Sequence, residues 1–252
     1  MLTVERAGAA LERCWSHVLA TLADLSPEQL SLRTRCPGWD VAALVLHLTW
    51  GVSMEADALR RGRTGAPGRA EGRTPSSHDP NVLRAALRSG VDELLSEVRT
   101  VPAGGEDRTL PLPYGDVPTA LALQLFVMEA GLHTDDLACA LGQEEDLDED
   151  VVDATASALG VVLPAMAAAT EARPSAGTVL AVTGPSLDLR VALDGDRWVA
   201  AGSADPTGVV TARDDSTALR FVLGRVGPHD PGLTVRGDGR VASEFNRWFP
   251  GP

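Results

Sequence analysis

The hydrophobic period of this chain changes once, near residue 172, and that change limits the fold more than any other feature of its 252 residues. Before it, apolar side chains recur every three or four positions, the period of a helix with one buried face. After it they alternate between short turns, the period of a half-buried strand. One packed layer cannot serve both periods, so the sequence predicts a helical bundle over residues 1–172 and a small α+β domain over 173–252. The fold class expected is therefore α+β.

Within the first part, residues 3–24 carry Leu11, Trp15, Val18 and Leu22 at helical spacing, and Ser26-Pro27 breaks the pattern. Asp40 is placed to cap a second helix with the stripe Val41, Leu44, Val45, Leu48 and Val52, which fades near Arg60-Arg61-Gly62. Asp79-Pro80 starts a third, through Leu83, Leu87, Val91 and Leu94. The three prolines between Val101 and Tyr114 read as loop, Pro118 to Leu141 as a long fourth helix stopped by Gly142, and Asp148 to about Ala169 as a fifth. In the second part Thr178–Thr183, Leu187–Leu193, Arg197–Ala201 and Leu233–Arg236 read as strands, with a tight Asp194-Gly195 turn. Asp214–Leu223 and Val241–Phe249 read as helices.

Charge narrows the partners. The formal net charge is −13, and all 22 basic residues are arginine. That sign repels phosphate backbones, so nucleic acid is not an expected partner. Three scattered cysteines, Cys14, Cys36 and Cys139, make neither a disulfide framework nor a CxxC pair. With no signal-peptide pattern at the N-terminus and no stretch read as approaching the roughly 20 apolar residues of a membrane span, the expected location is the cytoplasm and no membrane partner is expected. Monomer and homodimer both remain open.

The fourth helix holds the anomaly. Ala122, Leu125, Phe126, Glu129, Leu132, His133 and Asp136 fall on one face, which puts a carboxylate and an imidazole where apolar residues belong. An ionised Glu buried there loses several kcal/mol of hydration unless a cation or donors replace it. Glu129 and His133 are i and i+4, so their side chains reach a common point. His47 repeats the misfit at the edge of the Leu44/Leu48 stripe. Inward His and carboxylate groups on facing helices are one way a bundle holds a metal, and two imidazoles with one carboxylate suit a zinc-like ion with open positions, as well as iron, nickel or manganese. The competing reading is a satisfied core histidine and a glutamate paired with Arg84 or Arg88.

The stretch Thr34-Arg35-Cys36-Pro37-Gly38-Trp39-Asp40-Val41 leading to Leu46-His47-Leu48, together with Glu129-Ala130-Gly131-Leu132-His133-Thr134-Asp135-Asp136-Leu137, resembles the mycothiol-dependent maleylpyruvate isomerase family of the DinB-like metalloenzyme superfamily. The part from Val179 to Trp248 is similar to that family's small sterol-carrier-like domain. The resemblance implies a zinc site at His47, Glu129 and His133, with mycothiol as cofactor or co-substrate. It implies an enzyme that presents a thiolate to an electrophilic small molecule, by maleylpyruvate-type isomerisation or by S-transfer. Asp136 would orient an imidazole N–H from behind. Arg225, in Leu223-Gly224-Arg225, is similar to a Gly-Arg element of the family and is the candidate catalytic cation for a carboxylate substrate; alternatively it is a solvated arginine capping a helix end. Two other functions stay open on the same ligands: a non-catalytic binding or regulatory protein, and a metal-activated-water hydrolase.

Overall fold

The computed structural model describes residues 1–23, 25–77, 79–102, 108–194 and 197–250. They form two compact units, Met1–Ser157 and Ala158–Pro252.

The first unit is built on α1 (Val4–Ala23), α2 (Val41–Thr64), α3 (Pro80–Val98) and α4 (Thr119–Ala140), and α5 (Glu149–Ala168) begins in it. α2 packs chiefly on α3, and α1 on α4. The caps explain where the helices start. The Asp40 carboxylate accepts a hydrogen bond from the Ala43 N–H at 2.8 Å, and Asp79 accepts one from Asn81 at 2.8 Å, each replacing a partner that the first turn lacks. α2 runs past the expected fade at Gly62 and stops at Gly65, whose φ of 69° is the left-handed conformation glycine adopts without a Cβ penalty. α4 is the central helix, with Ala122, Phe126, Ala130 and Leu137 buried together with Leu123, Val127 and Asp135 from its other side.

Two sequence expectations for this unit are corrected. The proline-rich stretch expected as loop contains a hairpin, β1 (Thr109–Leu112) and β2 (Gly115–Pro118), with Leu110 opposite Val117 and both buried. Proline lacks the ladder N–H, yet a two-stranded ribbon is all edge, so Pro111 and Pro118 are tolerated there. Leu110 and its neighbours pack on α2. α5 is also long and apolar enough to cross a membrane, with a mean hydropathy of 1.7, where no such stretch was expected. Its Val151, Ala154, Ala158, Leu159 and Leu163 are buried, as in a core helix.

The second unit carries a five-stranded sheet in the order β5-β4-β3-β6-β7, from β3 (Val179–Thr183), β4 (Asp188–Asp194), β5 (Arg197–Ala200), β6 (Gly208–Ala212) and β7 (Leu233–Gly237). β3 and β6 are parallel and the other pairs antiparallel. β6 had no counterpart in the sequence reading; its short Gly-Val-Val-Thr-Ala run becomes a strand because β3 and β7 flank it on both sides. Gly195 of the expected Asp194-Gly195 turn lies outside the described residues. Helices α6 (Asp215–Val222) and α7 (Gly239–Trp248) supply Phe221 and Phe245, stacked at 5.3 Å between ring centres, to a core that includes Leu180, Val182, Val210 and Phe249.

Candidate metal centre

The first unit brings His47 of α2 and Glu129 and His133 of α4 together. One donor atom from each lies within 4.8 Å of the others. Glu129 Oε2 stands 3.5 Å from His47 Nε2 and 3.4 Å from His133 Nε2. Those separations exceed the 2.7–3.2 Å of good N–H···O hydrogen bonds. They match another geometry. Ligands about 2.0–2.2 Å from a tetrahedral zinc lie about 3.3–3.6 Å apart, whereas neighbouring ligands on an octahedron lie about 3 Å apart. Both separations from Glu129 thus fall in the tetrahedral range, and the two imidazole nitrogens lie within 4.8 Å of each other.

His133 is held from behind. Its Nδ1 lies 2.9 Å from Asp136 Oδ2, and both side chains are essentially buried. A proton on Nδ1 can be donated to Asp136, and the other ring nitrogen, Nε2, faces Glu129. The Cys36 thiol donates to the same carboxylate oxygen at 3.1 Å, so a loop residue, the helix carboxylate and the imidazole form one buried chain. Burial opposes charge on His133, but its hydrogen bonds to Asp136 and Cys36 and the nearby Glu129 carboxylate outweigh it and hold the imidazole well above its usual pKa. Burial would likewise raise the Glu129 carboxyl, yet the hydrogen bonds and charges of His133 and His47 hold it well below the carboxylate range. Glu129 is therefore an anion ready to serve as a ligand.

The loop before α2 completes the walls. Gly38, at φ 83°, turns the chain in the left-handed region, and the Thr34 hydroxyl donates to the Trp39 carbonyl at 3.1 Å. This sets the Trp39 ring 4.8 Å from the His47 ring, and Trp50, 37% exposed, lies on the same imidazole at 6.4 Å. The two indoles against His47 limit water there while Glu129, with 38% of its side chain exposed, keeps the cluster open. The competing arginine pairing is not seen for Arg84, which caps the Leu22 and Ala23 carbonyls at 3.0 Å.

The sequence reading missed two members of the neighbourhood. The sequence assigns Cys36 no role of its own, and nothing local ties it to a residue 100 positions later. Glu55 on α2 was not singled out, although it lies eight residues from His47 on the same helix. Arg225, in the second unit, follows α6 after Gly224 at φ 75°. It is 8% exposed, so it is not a solvated arginine, and its Nη1 donates to the Leu223 carbonyl at 2.9 Å. None of the cysteines forms a disulfide, and burial above all pushes the Cys14 and Cys139 thiols up to about 11, leaving neither activated.

A helical bundle with an inward His/Glu/His cluster, continued by a five-stranded α+β unit, defines the class of this protein. The profile of the family described as mycothiol maleylpyruvate isomerase N-terminal domain matches residues 11–138, just over half of the chain, and the chain belongs to that family. Crystal structures of the mycothiol-dependent maleylpyruvate isomerase and of a histidine-to-alanine mutant of it share the fold, with a TM-score of 0.67 over 93% of both chains at 16% identity. An uncharacterized protein found in two strains of Mycobacterium tuberculosis is 28% identical over 156 residues, 62% of this chain and 79% of that protein.

Proposed function

We propose that this protein is a metal-dependent enzyme that uses mycothiol as a thiolate against an electrophilic small molecule, by maleylpyruvate-type isomerisation or S-transfer. The observation that carries the reading is the 3.4–3.5 Å spacing of Glu129 from both imidazoles, which suits a tetrahedral ion and is too long for strong hydrogen bonding. His47, Glu129 and His133 would hold the ion. When bound, a zinc-like ion lowers the pKa of a thiol and so makes a thiolate available at neutral pH. The chain's own residues do the rest. Asp136 fixes the tautomer and plane of His133, and Trp39 with Trp50 keeps water from one side of His47.

Addition of a thiolate to a conjugated cis double bond leaves a rotatable single bond, and elimination restores the double bond as trans with the thiol released. A dicarboxylate such as maleylpyruvate needs a cation in a chain of charge −13. We assign that role to Arg225, which is buried yet always charged. The hydrolase alternative shares the ligands and differs in needing no thiol.

The test is metal analysis of the whole chain followed by assay of maleylpyruvate turnover with and without mycothiol. About one ion per chain, lost in His47→Ala, and turnover only with thiol are expected. Full metal in His47→Ala would remove the site, and turnover without thiol would favour the hydrolase. Arg225→Ala should raise KM far more than Arg225→Lys; equal KM in both and in the wild type would remove its role.

A further inference from the structure

Glu55 is a buried carboxyl of the first unit with no part in the His47/Glu129/His133 group. It is 3% exposed, and its Oε2 has no hydrogen-bond partner among the described residues. A carboxyl left this way costs several kcal/mol of hydration with nothing returned, so an orphan of this kind calls for an explanation. Its neighbours supply one. Glu55 lies two turns along α2 from His47, with Gly51 four residues from each, and a side chain at Gly51 would meet nothing within 4 Å. The helix therefore leaves open space between a metal-type ligand and the orphan carboxyl. The charges that reach Glu55 are those of Glu129 and His133, the other two members of the cluster. Tyr114, at the tip of the β1–β2 hairpin, in turn feels both Glu129 and Glu55. The α2 spacing and the open space at Gly51 thus put Glu55 near the three proposed ligands, while its oxygen is not among the atoms of the His47/Glu129/His133 group.

We propose that Glu55 hydrogen-bonds the exchangeable ligand, thiol or water, that occupies the open position of the ion held by His47, Glu129 and His133. It rests on the metal reading given above and adds to it a residue that touches the reacting ligand without holding the metal. The orphan oxygen is then satisfied only in the loaded protein, and the polar group is retained for the ligand at a cost to the empty fold. Burial and the Glu129 carboxylate push the Glu55 carboxyl well above the usual range, with His133 acting the other way, so in the empty site it favours the neutral form that can donate or accept.

The experiment uses the full chain loaded with cobalt(II), comparing wild type with Glu55→Gln, which keeps the shape, and Glu55→Ala. Three quantities are read: cobalt per chain, mycothiol affinity from the sulfur-to-cobalt absorption band, and the melting temperature of the metal-free protein. Glu55→Gln, whose amide can still donate to the thiolate, should keep one cobalt and melt no lower than wild type, whereas Glu55→Ala should bind mycothiol about 10-fold or more weakly, as loss of a charge-assisted hydrogen bond implies. Unchanged mycothiol affinity in both variants would overturn the inference. So would loss of cobalt from Glu55→Gln, which would make Glu55 a ligand, or a sharp fall in its metal-free melting temperature, which would make it structural. Wild-type protein that takes up no cobalt would instead overturn the metal reading itself, and this inference with it.

Discussion

Replacing Asp136 by alanine tests the site through a residue outside the three proposed ligands. Asp136 is 0% exposed and accepts from both His133 Nδ1 at 2.9 Å and Cys36 Sγ at 3.1 Å. Two opposing effects follow from its loss. The imidazole loses the anchor that fixes its ring and raises the basicity of Nε2, and losing such a partner costs about 10–100-fold in metal affinity, or roughly 1.4–2.7 kcal/mol. Against this, Asp136 is among the groups that hold a proton on His133, and that proton competes with the ion. The wild-type protein therefore suffers more from proton competition than the variant does.

The two effects separate with pH. Where His133 is mostly protonated, the wild type loses part of its advantage, and as pH rises the competing proton leaves and the full intrinsic difference appears. The affinity gap between wild type and Asp136→Ala should accordingly widen from pH 6 to pH 9. Asp136→Asn keeps an acceptor oxygen without the charge and should fall between them. Competition titration of zinc against a chromophoric chelator at each pH measures all three. Equal affinities at pH 9, or a gap that narrows as pH rises, would refute the assignment of Asp136 as the partner that orients His133.

Two further outcomes concern the scaffold. A Cβ at Gly131 would lie 2.4 Å from both γ-carbons of Val151, so Gly131→Ala should push α5 from α4 and cost about 1–3 kcal/mol in urea unfolding, with Val151→Ala restoring most of it; an unchanged midpoint would show that the helices are not so close. Asp150 has its pKa lowered by hydrogen bonds from Arg13 and then Arg6, against the opposing effect of burial. Because the folded value lies below the unfolded one, its contribution is complete above about pH 4 and disappears as pH falls through the folded value. Both arginines are about half exposed, so screening reduces the effect, and Asp150→Asn should lose about 0.5–1 kcal/mol at pH 7 and nothing measurable near pH 2.

Which parts of the site the sequence disclosed follows from where each signal is stored. Glu129 and His133 stand out because a helix repeats every 3.6 residues and the misfit sits within one turn of a strongly apolar helix. His47 stands out for the same reason on α2. Glu55 does not, because α2 between Val52 and Leu59 is buried on more than one side, as Met54, Ala56 and Ala58 show, and a single acid there resembles the polar residue that any surface stripe carries. Its burial comes from the elements that pack on α2, namely α3, β1 and α4.

The contact from Cys36 to Asp136 is hidden for a different reason: it spans 100 residues, and each partner alone is an ordinary residue of its type. The hairpin was obscured by Pro111 and Pro118, whose missing N–H groups argue against a strand in a sheet interior and are harmless in a two-stranded ribbon. In each case the missing information is which surfaces meet. That explains why the three proposed ligands, and Asp136 one turn from His133 on the same face, were legible while the rest of their surroundings was not. A polar residue on a core face violates a local rule, whereas Glu55 and Cys36 violate or satisfy a rule only once the fold has closed around them. The residues most informative about the chemistry beyond the metal are therefore those whose burial is tertiary, and of Glu55 and Cys36 it is Glu55 whose Oε2 has no partner among the described residues.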